Sequence, residues 1–233
     1  MIWNIAQAGL RTSAKRTDPE YIENADKLVD LFPCQLELGC GPSYEAGVYP
    51  LHTLHDIYSI NEPFTKVFIM DAARDTFIAG LISNPIKSFE KTTEFYSKVV
   101  TAKLTDFYYT LQKIYKTGHV VGPILTNNFD GLHLRLGIPE IFIRTYDEVD
   151  VLPKLKFHPD AKTLLVIGCH ADRRGIERRA RERGLKVAYV DPEGWWVDGN
   201  FISYPLESPQ KGDLILKKGA TEAFKEIKDK LNL

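Results

Sequence analysis

Cysteine is scarce in this chain and poorly spaced for a metal. Only Cys34, Cys40 and Cys169 occur, and no two of them form a Cys-x-x-Cys pair. A structural zinc ribbon needs four soft ligands at paired spacing, so that count excludes one built on cysteine. An odd set also gives no disulfide framework. Long apolar runs are missing too: nothing approaches the ~18 residues of a membrane span. Neither sign of charge is in excess, with 30 Lys+Arg against 31 Asp+Glu and a net charge of −1. That balance supplies no electrostatic case for nucleic acid or an anionic membrane surface. The first residues, Met-Ile-Trp-Asn-Ile, have neither the basic nor the apolar region of a signal peptide, so the expected location is cytoplasmic. Internal repeats and low-complexity segments are absent.

What is present is an ordinary globular composition, 44% hydrophobic and 26% charged over 233 residues. That size suits one α/β domain carrying a small insertion. Residues 18–32 predict a helix, with Asp18 as N-cap and Pro19 in the first turn. Residues 34–38 (CQLEL) predict a strand running into Gly39-Cys40-Gly41. Helical spacing recurs over 62–82 and over 85–117, the latter broken or bent near 98–102. Together they make 60–118 a helical insertion. Strands follow at 120–125, 141–144, 163–167, 186–190 and 213–216, with helices at 171–183 and 220–231. Residues 204–212 form a loop rich in Pro and Gly. Uninterrupted runs such as TLLVI, alternating with helices over short connections, predict a parallel sheet with helices on both faces.

Four polar clusters fall where predicted strands end. Gly39-Cys40-Gly41-Pro42-Ser43 follows the first, and such a turn either lets backbone N–H groups approach a phosphate or is simply tight. Thr126-Asn127-Asn128-Phe129-Asp130-Gly131-Leu132-His133 follows the second, offering an amide and a carboxylate for ribose hydroxyls or a water, or caps for the next helix. Gly168-Cys169-His170 and Val190-Asp191-Pro192-Glu193 follow two more. An acidic residue at such a strand end suits ribose hydroxyls. The convergence of four clusters on one sheet edge carries more weight than any one of them.

In this order the clusters resemble those of the sirtuin family. The family's Gly-Ala-Gly-Ile-Ser turn and Ser-Gly-Ile-Pro-x-Phe-Arg stretch are similar to residues 39–52, ending here in Leu51 and His52. Its Thr-Gln-Asn-Ile-Asp-Gly-Leu-His is similar to TNNFDGLH, and its Val-Gly-Thr-Ser to residues 167–170. Its Ile-Asn-x-Glu looks like residues 190–193, and its closing Asp-Leu-x-x-x-Gly pattern matches residues 212–224. The resemblance runs from about residue 34 to the C-terminus.

It implies a Rossmann-like domain of the kind sirtuins share with deoxyhypusine synthase, binding NAD or ADP-ribose across the strand ends. Gly39, Cys40, Gly41, Ser43, Tyr49, Thr126, Asn127, Asn128, Asp130, Gly168, Cys169, His170, Asp191 and Ala220 would line the ligand. Gly39, Gly41 and Ser43 would face the pyrophosphate, and Asn128 and Asp130 the nicotinamide ribose. Asp191 would face the adenosine ribose, and Ala220 would lie near adenine. The chain departs from the family at three places. Thr145 stands where the family's catalytic histidine falls, the zinc ribbon is absent, and the stretch between Thr145 and Gly168 is short. Three functions follow: cleavage of the nicotinamide–ribose bond as a hydrolase or ADP-ribosyl transferase, binding without catalysis, and protein deacylation. The missing base ranks deacylation last. Asn128, Asp130 and His52 are the candidate catalytic residues.

Overall fold

The structure is a computed structural model that describes residues 16–48, 85–143, 155–172, 174–197 and 199–233. The chain divides into two units, Met1–Thr12 with Ala46–Lys103 and Ser13–Glu45 with Leu104–Leu233. In chain order the elements are β1 (Glu20–Ile22), α1 (Asp26–Val29), β2 (Cys34–Leu38), α2 (Gly41–Glu45), α3 (Pro85–Thr101) and α4 (Asp106–Lys116). There follow β3 (Ile124–Thr126), the 3-10 turn Leu132–Leu136, β4 (Glu140–Phe142), β5 (Thr163–Ile167) and α5 (Ile176–Glu182). The last are β6 (Lys186–Val190), β7 (Gly194–Val197), β8 (Asn200–Ser203), β9 (Leu214–Leu216) and α6 (Ala220–Lys230). Among the described elements, α3 alone belongs to the first unit.

The second unit is built on one seven-stranded sheet in the order β1-β9-β6-β5-β2-β3-β4, with every neighbouring pair parallel. Parallel strands cannot be joined by tight turns and are covered on both faces. The sequence meets that demand: β2 and β5 are buried along their whole lengths. Alternate residues separate the two layers. Leu164, Val166, Val187, Tyr189 and Ile215 pack with Ile176 and Ala180 of α5. Leu36, Leu165, Ile167, Ala188 and Leu216, also buried, point to the opposite face. There α6 packs on α4, α1 and α2, with Phe224 set edge-on to Phe107 at 4.6 Å.

Without the edge strand β1, the order reads β4-β3-β2-β5-β6-β9. The chain winds outward from β2 to β4, returns to lay β5 beside β2, and winds outward the other way. The expected Rossmann-like α/β fold is therefore the observed one. Its winding reverses between β2 and β5, which is where open α/β sheets form a crevice at their carboxyl ends.

Three expectations need correction. Residues 18–32 are not one helix: Glu20–Ile22 pair with Leu214–Leu216 as an edge strand. The Tyr21 hydroxyl donates to Glu193 Oε2 at 2.7 Å, a non-local contact that overrides the helical pattern. The helix starts only at Asp26, whose N–H is accepted by Asn24 Oδ1. The strand expected over 120–125 is shorter, because Gly122 takes a left-handed φ of +71° and Val120 makes only an isolated bridge to Cys34. Residues 194–203, assigned to no element from the sequence, form an antiparallel hairpin of β7 and β8. The helical stretch expected over 62–82 lies outside the described residues.

Candidate functional site

Two turns meet at the reversal point. After β2 the ladder runs one residue further, with the Gly39 N–H donating to the Ile167 carbonyl at 2.8 Å. The Gly41 N–H then donates to the Gly168 carbonyl at 3.3 Å, and the Gly168 N–H to Val190 at 3.1 Å. The approach leaves no room for side chains. A Cβ on Gly39 would stand 2.2 Å from the Gly168 carbonyl oxygen, and one on Gly168 (φ +61°) would stand 2.6 Å from Gly41 Cα. Close packing of turn on turn therefore requires these glycines. Cys40 and Cys169 sit beside them, both partly exposed.

The segment after β3 is tied onto the first of these turns. Thr126 Oγ1 donates to the Leu38 carbonyl at 2.7 Å and accepts the Asn128 N–H at 2.9 Å, which bends the chain back over β2. Asn128 Nδ2 donates to the Gly39 carbonyl at 2.6 Å. Ser43, 2% exposed, donates its hydroxyl to Asp130 Oδ2 at 2.7 Å, while Asp130 Oδ1 accepts the Leu132 N–H. Asn127 Oδ1 is buried and has no hydrogen-bond partner among the described residues. Tyr108 of α4 is buried nearby; its burial, and then the charge of Asp130, push its hydroxyl above the usual range. His133 is fully buried with Nε2 2.9 Å from Glu140 Oε2, and burial lowers its pKa.

Beyond the ends of β5 and β6 come His170 and Asp191. The His170 ring stacks on Tyr204 at 3.4 Å and its Nε2 lies 3.1 Å from Glu207 Oε1, so this histidine is held against the loop that follows β8. Burial pushes the Asp191 carboxyl up to about 6, although it accepts the Glu193 N–H at 2.6 Å. Glu193 serves the fold. Burial opposes its charge, yet the Arg16 guanidinium, Tyr21 and the Leu206 N–H together hold it below the usual carboxylate range.

The sequence reading missed two groups. One is a buried charged network under the β5 turn. Glu37, Asp172 and Glu177 are nearly inaccessible, and burial and then mutual repulsion push the Glu37 carboxyl well up. Burial also raises Glu177, to about 7, while Tyr189 donates to it at 2.6 Å; Arg181 pairs with Asp213 at 2.5 Å. Glu37 is a charged residue inside the buried strand CQLEL, which was the available signal. The other is Glu45, which closes α2 and caps α6. It accepts the Ala220 N–H at 2.7 Å and the Thr221 N–H at 3.0 Å, and the Thr221 hydroxyl as well. Nothing in the sequence links residues so far apart.

The structure thus gathers Gly39, Cys40, Gly41, Ser43, Thr126, Asn127, Asn128, Asp130, Gly168 and Cys169 around one reversal point. His170 and Asp191 lie at the ends of the next strands. Ala220 is joined to this region by Glu45, and its N–H is engaged by that carboxylate. Tyr49, Leu51, His52 and Thr145 lie outside the described residues. Among the described residues no cluster of His, Cys, Asp or Glu could hold a metal ion, and no helix is long and apolar enough to cross a membrane.

No family model matches the chain, and no curated protein matches it by sequence. Solved structures do match by fold. A Sir2 homologue in complex with NAD aligns with a TM-score of 0.59 at 14% identity, covering 94% of this chain and 97% of its own. A Sir2 complex with a p53 peptide and NAD aligns at 0.58 and 15% identity, covering 90% and 99%. Sir2Tm bound to a propionylated peptide aligns at 0.58 and 14%, covering 89% and 98%. At such identities the likeness is one of fold, and the chain has a sirtuin-like fold.

Proposed function

We propose that this sirtuin-like fold binds NAD across the carboxyl ends of β2, β3, β5 and β6, and that Asn128 and Asp130 act on the nicotinamide–ribose bond. The observation that carries the reading is the meeting of the β2 turn, the 126–130 segment and the β5 turn at the reversal of winding, the position where such sheets hold dinucleotides. The residues there fit the ligand. Asn127 Oδ1 is a buried acceptor with no partner among the described residues, and an amide or ribose hydroxyl would satisfy it. The glycine turns bring bare backbone to the crevice. Asp191 supplies a carboxylate for the adenosine ribose. NAD brings a labile glycosidic bond. The protein's part is to orient the ribose through Asn128 and Asp130 and to stabilise positive charge at the breaking bond. The absence of a histidine at Thr145 argues against deacylation, so the reaction class is hydrolysis or ADP-ribosyl transfer.

One observation favours a second reading, a module that binds NAD or ADP-ribose without cleaving it. The Asn128 amide donates to Gly39 and the Ser43 hydroxyl to Asp130, so both polar groups have structural work within the fold itself. Incubation of the pure protein with NAD separates the two. Nicotinamide release without any acyl-lysine peptide supports cleavage; a ligand-dependent rise in thermal midpoint without release supports the binding module. In a cleaving protein Asn128→Ala lowers turnover by roughly a hundred- to thousandfold, about 2.7–4 kcal/mol of barrier, more than it lowers affinity.

A further inference from the structure

Two of the three cysteines sit in the two turns that meet at the glycine seam, Cys40 after β2 and Cys169 after β5. β2 and β5 are paired with Leu38 opposite Ile167, and the Gly39 N–H carries that ladder one bond further. Beyond that bond the ladder ends, because Gly168 turns left-handed at φ +61° and packs its backbone against both Gly39 and Gly41, which brings Cys40 and Cys169 into adjoining turns. The two thiols are close enough for a charge on Cys40 to act on Cys169. The turns remain in contact beyond the strands: a Cβ on Gly41 would stand 2.9 Å from Gly168 Cα. The Cys169 sulfur lies on the same seam, 2.6 Å from where a Cβ on Gly39 would be, and Gly39 is the residue before Cys40. Both cysteines are partly exposed, whereas Cys34 is 2% exposed.

We propose that Cys40 and Cys169 form a dithiol–disulfide site that a hydroperoxide oxidises. The Cys40 thiolate attacks a peroxide oxygen; the O–O bond breaks, giving a Cys40 sulfenic acid and, from hydrogen peroxide, one water. The Cys169 sulfur then attacks the sulfenic sulfur, forming the S–S bond. The departing hydroxide leaves as a second water with the Cys169 proton. Two thiols give up two electrons and two protons, and one hydrogen peroxide becomes two waters. The order follows the surroundings: burial, and then the carboxylates of Glu37 and Glu177, push the Cys169 thiol well up, so Cys40 reacts first and Cys169 resolves. The consequence for ligand rests on the proposed dinucleotide site. A bond across the seam pins the two turns together and closes the crevice to NAD.

The test treats the full-length protein with hydrogen peroxide, alkylates remaining thiols and identifies linked peptides by mass spectrometry. Cleavage after glutamate separates Cys34 from Cys40, because Glu37 lies between them. The expected result is a Cys40–Cys169 linked peptide that dithiothreitol releases, present in Cys34→Ser and absent from Cys40→Ser and Cys169→Ser. Cys40 sulfinic acid with Cys169 still alkylatable, or a disulfide between two chains through Cys40, overturns the proposal. The same samples are then titrated with NAD. Loss of the NAD-dependent thermal shift on oxidation, restored by dithiothreitol, is the expected consequence. A reduced protein that binds no NAD refutes the dinucleotide reading while the linked peptide still stands; a linked protein that binds NAD as well as the reduced one refutes the closure.

Discussion

The contact between Ser43 and Asp130 joins two segments that the sequence keeps far apart, and it is the most direct handle on how the candidate site is assembled. Ser43 donates to Asp130 Oδ2 at 2.7 Å with its hydroxyl shielded from water. A hydrogen bond to a charged acceptor contributes about 1.5–3 kcal/mol net. Ser43→Ala removes it and leaves Asp130 with the Leu132 N–H. For a chain of this size, each kcal/mol lowers the thermal midpoint by roughly 2–4 °C, so a fall of roughly 3–12 °C is expected. Asp130→Ala removes the partner instead and strands a buried hydroxyl. If the two groups meet as described, the double variant costs less than the sum of the singles, with a coupling of about 1–3 kcal/mol. Urea titrations of the four proteins, followed by circular dichroism at constant m-value, measure it. Additivity to within about 0.5 kcal/mol would refute the pairing and with it the joining of the 126–130 segment to α2.

Other perturbations have equally definite outcomes. Gly168→Ala places a Cβ 2.6 Å from Gly41 in a left-handed backbone and should cost at least about 1–2 kcal/mol in a urea titration; a neutral effect would mean that the two turns do not touch. Glu45→Ala uncaps α6 and should cost about 0.5–2 kcal/mol, with Glu45→Gln intermediate, which amide exchange at Ala220 and Thr221 would also report. The folded state raises the Glu177 carboxyl from 4.5 to about 7, so it holds a proton more tightly than the unfolded chain does. Stability is then highest below about pH 4.5 as far as this group is concerned, and is lost as pH rises toward about 7, at ~1.4 kcal/mol per unit. Glu177→Gln keeps an acceptor for Tyr189 and should flatten that fall between pH 5 and pH 8; an unchanged slope contradicts the assignment.

The middle of the parallel core was legible because β5 and β6 are nearly uninterrupted apolar runs. TLLVI and KVAYV have a single reading in a two-sided sheet, and their observed limits match those read from the sequence. The polar clusters were legible for a related reason: Thr126, Asn128 and Asp130 directly follow a buried strand, where a run of polar residues needs either a ligand or backbone partners. They proved to have backbone partners. What stayed hidden depends on distant segments. β1 has no apolar run of its own and exists because β9, Arg16 and Glu193 hold it. The reason for Gly39 and Gly41 is the Gly168 turn, invisible from either side alone. The β7–β8 hairpin is different, since Asp198-Gly199 between two apolar stretches is itself a strong hairpin signal in the sequence.

The central claim, that a dinucleotide lies across the carboxyl ends of β2, β3, β5 and β6, is tested most directly by calorimetric titration of the reduced protein with NAD, alongside Asp191→Ala. The account predicts saturable heat with one NAD per chain, and weaker binding in the variant while circular dichroism shows it still folded at the titration temperature. No heat from the parent protein at millimolar NAD, or binding that Asp191→Ala leaves unchanged, would contradict it.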